Sequence, residues 1–141
     1  MEIKRIANEL AKKYDTRDPF ILADYLNILH KEHYLGNMSG YYLSYRGEKC
    51  IAVNSSIDNI YQKKIVMAHE VGHAVLHENN QCMFYSDTLF SRSRPEREAN
   101  EFAAEFLIPD SIFFEYPDYT QEQISRLIGY GERLMWYKTI K

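Results

Sequence analysis

Cysteine is scarce: Cys50 and Cys82 are the two among 141 residues, and they form no Cys-x-x-Cys pair. A disulfide framework, a zinc ribbon and a thioredoxin-type motif are thereby excluded, and reduced structural thiols are expected. Long apolar runs are missing as well, none approaching the ~18 residues of a membrane helix, and the opening Met1-Glu2-Ile3-Lys4-Arg5 has no signal-peptide stretch behind it. A cytoplasmic protein without a membrane partner is the expectation. Nor is there an excess of positive charge. With 17 Lys and Arg against 20 Asp and Glu the formal charge is −3, so no overall positive field exists to hold a polyanion, and direct nucleic-acid binding is not expected. What is present is ordinary. Hydrophobic residues make up 45% and charged residues 26%, a composition that folds, in a length that suits one domain of the usual ~100–200 residues.

Hydrophobic spacing divides the chain. Ile3, Ile6, Ala7, Leu10 and Ala11 fall on one stripe of an amphipathic helix over Glu2 to Tyr14. Asp18 followed by Pro19 reads as an N-cap with proline at the first helical position, opening a second helix to about Leu29. Gly36 and Gly40 then mark a change of period, and the runs Tyr41 to Arg46 and Lys49 to Asn54 flank Gly47 as a β-hairpin. Ile57 to His77 returns to helical character. Glu78 to Arg94 has no period and reads as a long loop, a candidate lid or substrate-contacting segment. Pro95 opens a helix to about Ile108, Pro109 closes it, and two short helices around Gly129-Tyr130-Gly131 follow.

The chemistry concentrates in Ile65 to Leu76, IVMAHEVGHAVL, which is apolar on nearly every face except for His69, Glu70 and His73. Burying two imidazoles and a carboxylate there costs several kcal/mol unless each finds a partner, and a divalent metal satisfies all of them. Residues four apart on a helix lie ~40° apart around the axis and ~6 Å along it, so His69 and His73 can converge on one ion. Glu70 is turned ~100° from His69, placed as a general base toward a water on the ion rather than as a ligand. Zinc suits this pattern because it lowers the pKa of bound water to ~7 and polarises a carbonyl, so the H-E-x-x-H string describes hydrolysis. A metal-free hydrogen-bonded network of the same groups is the alternative. Gly72, costly in a helix interior, implies close packing by another element. His77 lies ~12 Å along the axis from His69, out of reach of the same ion, and reads as a helix C-terminal histidine.

A third ligand is sought on the helix after Pro95. Stepping at ~100° per residue gathers Glu96, Ala99, Asn100, Ala103 and Leu107 on one face and puts Glu98, Glu101 and Glu105 on the other, as a solvated acidic stripe. Glu96 is the carboxylate on the apolar face. Two roles fit it, a metal ligand or the second half of a capping box with Ser93. Asn100, one turn on, is placed to hold a ligand histidine through its other ring nitrogen, or to be satisfied by backbone. On this count Glu96→Ala should weaken zinc binding strongly and Glu98→Ala should do little. Phe102 falls on the acidic side, where the count gives it no role.

HEVGHAVLH followed by EREANEFAAEFLIP resembles the ImmA/IrrE family of zinc metallopeptidases, as do TRDPFILADYL, GYYLSYRG and IAVN upstream, over roughly residues 1 to 110. The resemblance implies an α+β, zincin-like domain of gluzincin type, a small antiparallel sheet packed against the HExxH helix. It implies zinc held by His69, His73 and Glu96, with Glu70 as catalytic base. It also implies a protein substrate, a helix-turn-helix repressor of a mobile genetic element. The expected organisation is a single metallopeptidase domain over 1–141, with the zinc site in 1–110, a short helical tail over 111–141 and no separate sensory domain. The strand Tyr41 to Arg46 is the candidate edge for an extended peptide. The alternative is a metal-containing regulatory module in which Gln121 to Lys138 contacts a repressor or DNA, although that segment carries only Arg126, Arg133 and Lys138.

Overall fold

A computed structural model describes residues 2–79, 82–85 and 93–138, with the backbone alone for 82–85. The first helix, α1 (Glu2–Tyr14), occupies the span that its apolar stripe predicts. Asp18 caps α2 (Pro19–Tyr25) by accepting the Phe20 N–H. This helix is shorter than its sequence pattern suggests. Asn27 turns left-handed at φ 58°, and the Ile28 N–H closes back on the Ala23 carbonyl at 2.9 Å. Leu29 therefore starts a strand, β1 (Leu29–His33), instead of finishing a helix.

The hairpin is formed by β2 (Met38–Tyr45) and β3 (Glu48–Asn54). Its two turn residues, Arg46 and Gly47, both have positive φ, 51° and 80°, as a type I′ turn requires to match strand twist. The other principal helix, α3 (Ile60–Leu76), lies across the sheet face made by β2 and β3, over fully buried Tyr42, Ile51 and Val53.

The sheet order is β1-β3-β2-β4, where β4 is Cys82–Tyr85. Two of the pairings are antiparallel and β1 joins β3 in parallel. Two expectations change here. Residues 82–85, read from sequence as loop, form a strand, whereas 80, 81 and 86–92 of that segment lie outside the described residues. The strand Tyr41 to Arg46 is not the edge over its first part, because β4 pairs with β2 from Met38 to Tyr42 and is the edge strand among the described residues.

Proline at its start and the Ile108 cap at its end bound α4 (Arg94–Leu107), which lies against both α3 and α1. That double covering overturns the solvated acidic stripe. Glu105 is buried and ion-paired to Lys4 at 3.2 Å and Lys138 at 2.7 Å. Phe102 is fully buried against Gly72, where a Cβ would stand 3.1 Å from the Phe102 Cβ and 3.2 Å from the Ala99 carbonyl. The close packing implied by a mid-helix glycine is thus that of α4.

Three short helices follow: α5 (Ser111–Glu115), which the sequence pattern did not mark, α6 (Gln121–Ile128) and α7 (Glu132–Met135). A reciprocal capping box of Thr120 and Gln123 starts α6, and Gly129 at φ 85° ends it. Leu134 and Met135 enter the core. Lys138 then turns inward, its ammonium bonded to Glu105 at 2.7 Å, Asp110 at 2.6 Å and the Ile108 carbonyl at 2.7 Å. Of the three cations from Gln121 to Lys138, Lys138 is buried, Arg126 is paired to Glu122 on the surface and Arg133 lies over the Trp136 ring. Among the described residues no helix is long and apolar enough to cross a membrane.

Candidate metal centre

Asn59 starts α3 by accepting the N–H groups of Tyr61 and Gln62, and from there every residue between Ile65 and Ala74 is buried. His69 and His73 sit one turn apart inside that stretch, their rings 4.8 Å between centroids and their Nε2 atoms 3.2 Å apart. Glu96, in the first turn of α4, reaches across. Its Oε1 lies 2.5 Å from His73 Nε2 and 3.5 Å from His69 Nε2. The Ser93 side chain makes no cap bond to this helix, so the reciprocal capping box is not complete.

Glu70 lies beside them, wholly buried, and His69, Glu70 and His73 offer ligand atoms within 4.8 Å of one another. Gly40 on β2 lies beneath it, where a Cβ would meet Val66 Cγ1 at 2.7 Å and the Ala52 carbonyl at 2.9 Å and would touch Glu70 Oε2 at 3.6 Å. Two imidazole nitrogens and a carboxylate oxygen converge here as the donor set of zinc. His69 Nε2 lies 3.2 Å from His73 Nε2 and 3.5 Å from Glu96 Oε1, close to the roughly 3.3 Å ligand spacing of a tetrahedral ion with bonds of about 2.0–2.1 Å. The His73–Glu96 pair is drawn closer, at 2.5 Å. The residues present fit the metal.

Burial drives the pKa of His69 down against the pull of Glu96, which favours the neutral imidazole that binds metal. For Glu96 burial acts in the opposite sense, but the proximity of the His69 and His73 rings outweighs it and holds the carboxyl well below the usual carboxylate range. The site therefore offers neutral nitrogen and anionic oxygen together. Asn100 Oδ1 stands 2.7 Å from His69 Nδ1. That nitrogen donates to the amide oxygen, which turns the lone pair of Nε2 toward Glu96.

His77 is the C-cap of α3, bonding its N–H to the His73 carbonyl at 2.7 Å. It is more than a terminal histidine. Its Nδ1 lies 3.1 Å from His73 Nδ1 and its Nε2 lies 2.9 Å from Glu98 Oε1. The hydrogen bond from His77 keeps the Glu98 carboxyl below its ordinary pKa. Sequence reading missed this link because the wheel put Glu98 in solvent. The signal was the four-residue step from His73 to His77, repeating that from His69 to His73.

The model of the IrrE N-terminal-like domain matches residues 23–137, a span that includes the whole cluster. The chain belongs to this family. As an IrrE-like member it is a zinc-metallopeptidase domain of α+β fold, and its HExxH motif supplies the buried group of His69, Glu70 and His73. It is also similar to a protein of Bacillus phage phi105 named uncharacterized immunity region protein 2, at 35% identity over 147 aligned residues, covering 98% of this chain and 89% of that protein. No solved structure matches this IrrE-like chain.

Proposed function

We propose that the protein is a zinc-dependent endopeptidase that cuts a helix-turn-helix repressor of a mobile genetic element. The observation that carries the peptidase reading is the convergence of His69 Nε2, His73 Nε2 and Glu96 Oε1 beside the buried carboxylate of Glu70. His69, His73 and Glu96 would hold the ion. Zinc, when bound, supplies Lewis acidity to polarise the scissile carbonyl and activate water. Glu70 takes the proton of the attacking water and passes it to the departing amine, so no base from solvent is required. Asn100 keeps His69 in the tautomer that ligation needs.

An extended substrate can add to the outer edge of β4, the terminal strand in the sheet order, whose partner strand carries Gly40 beneath Glu70. Support for the repressor as substrate comes from the resemblance and from the name of the phage phi105 relative, which refers to an immunity region. The test is co-expression of a helix-turn-helix repressor encoded beside this gene with wild type or Glu70→Gln, followed by intact-mass analysis. One or few cuts with wild type and none with the variant are expected. An intact repressor alongside digestion of casein would indicate a general peptidase, and an intact but tightly bound repressor a regulatory binding module.

A further inference from the structure

We propose that His77 and Glu98 are positioning residues of the zinc site, acting through His73. The inference rests on the zinc reading given above. A carboxylate can only accept, so neutral His77 donates Nε2–H to Glu98 over 2.9 Å. Its Nδ1 is then the acceptor, and His73 donates Nδ1–H to it over 3.1 Å. That leaves the lone pair of His73 on Nε2, the atom 3.2 Å from His69 Nε2 and 2.5 Å from Glu96 Oε1. The tautomer of a buried ligand is thus set by a carboxylate two rings away. Arg94 Nε lies 3.4 Å from the second oxygen of Glu98 and orients it from outside.

The two ligand histidines are held by different means. His69 donates to a neutral amide, Asn100, whereas the bond behind His73 ends on an anion, which makes His73 the stronger donor to a cation. Both elements of the site take part. His77 closes α3, and Glu98 follows Glu96 on α4 by two residues, so the Glu98–His77 bond fastens the helix of the histidines to the helix of the carboxylate.

Zinc affinity by chelator competition on the full chain tests this, with folding checked by circular dichroism. His77→Phe should bind zinc about 10–100-fold more weakly, the usual cost of removing the partner behind a ligand histidine. Glu98→Ala should weaken it about 10-fold and Glu98→Gln less, because an amide oxygen still accepts from His77. The double variant His77→Phe/Glu98→Ala should be no worse than His77→Phe alone, since Glu98 acts through that ring. The visible spectrum of the cobalt-substituted protein should shift in Glu98→Ala although Glu98 is no ligand. Glu101→Gln, on the same helix, should match wild type. If His77→Phe does not fold, the Glu98 pair and the cobalt spectrum decide. Wild-type protein that takes up no zinc overturns the metal reading and this one with it. Zinc uptake by wild type with equal affinity in folded Glu98→Ala, or additive losses in the double variant, overturns the positioning role alone.

Discussion

At Glu70 the separation of proton transfer from ligation can be measured. Glu70→Gln should keep the fold and about one equivalent of zinc while turnover falls by roughly 10²–10⁴-fold, the range for losing a general base. Elemental analysis and the repressor cleavage assay together check it, and a variant that cuts as fast as wild type removes the base from Glu70. Glu96→Ala should lose most of the zinc, because it deletes one of three converging donors and leaves two. Asn100→Ala should weaken zinc binding about 10–100-fold with the three donors intact, since only the orientation of His69 is lost. A zinc titration that ranks Asn100→Ala above Glu96→Ala in severity would exchange their roles.

The contact of α3 with α4 sets the distance over which Glu96 must reach, and Gly72 sets the contact. In Gly72→Ala the new methyl meets Phe102 Cβ at 3.1 Å and the Ala99 carbonyl at 3.2 Å, atoms fixed to the α4 backbone that cannot rotate away. Strain of about 1–3 kcal/mol exceeds the gain of about 1 kcal/mol in helix propensity. A net loss near 1 kcal/mol is expected in urea unfolding, with weaker zinc binding beside it. Stability rising in this variant would mean that α4 yields freely. Elements such as these were legible wherever one face met the core. The stripe of α1, the Asp18 cap, the Arg46-Gly47 turn and the HExxH helix could all be read from local pattern. Glu105 and Phe102 could not, because a wheel assumes one wet side and α4 has α1 on one side and α3 on the other. The parallel pairing of β1 with β3 and the addition of β4 to β2 are long-range choices that no local period encodes.

Over the whole molecule, Lys138 joins the last described turn to the helix of Glu96 through Glu105 and Asp110. Lys138→Ala breaks a buried pair from one side, so unfolding free energy should drop by about 3–5 kcal/mol, as thermal or urea denaturation would show. An effect below about 1 kcal/mol would mean that water replaces the ammonium there. The same cluster gives an acid limit. Burial alone would raise the pKa of Asp110, but Lys138 and Lys4 together hold it below its ordinary 3.8. The unfolded chain therefore takes up this proton first as pH falls, so the contribution is complete above about pH 5 and disappears as pH drops through the depressed folded value. Unfolding midpoints between pH 5 and pH 2 should fall more steeply for wild type than for Asp110→Asn. The lysine also has a consequence in time. It follows Glu105 by 33 residues, which a ribosome adding about 5–20 residues per second needs roughly 2–7 seconds to make. Through that interval the residues of the HExxH helix and of α4 have been joined while the cation that fastens α4 has yet to be synthesised. A growing chain therefore gains the stability that this buried cation gives α4 only after translation has passed Lys138.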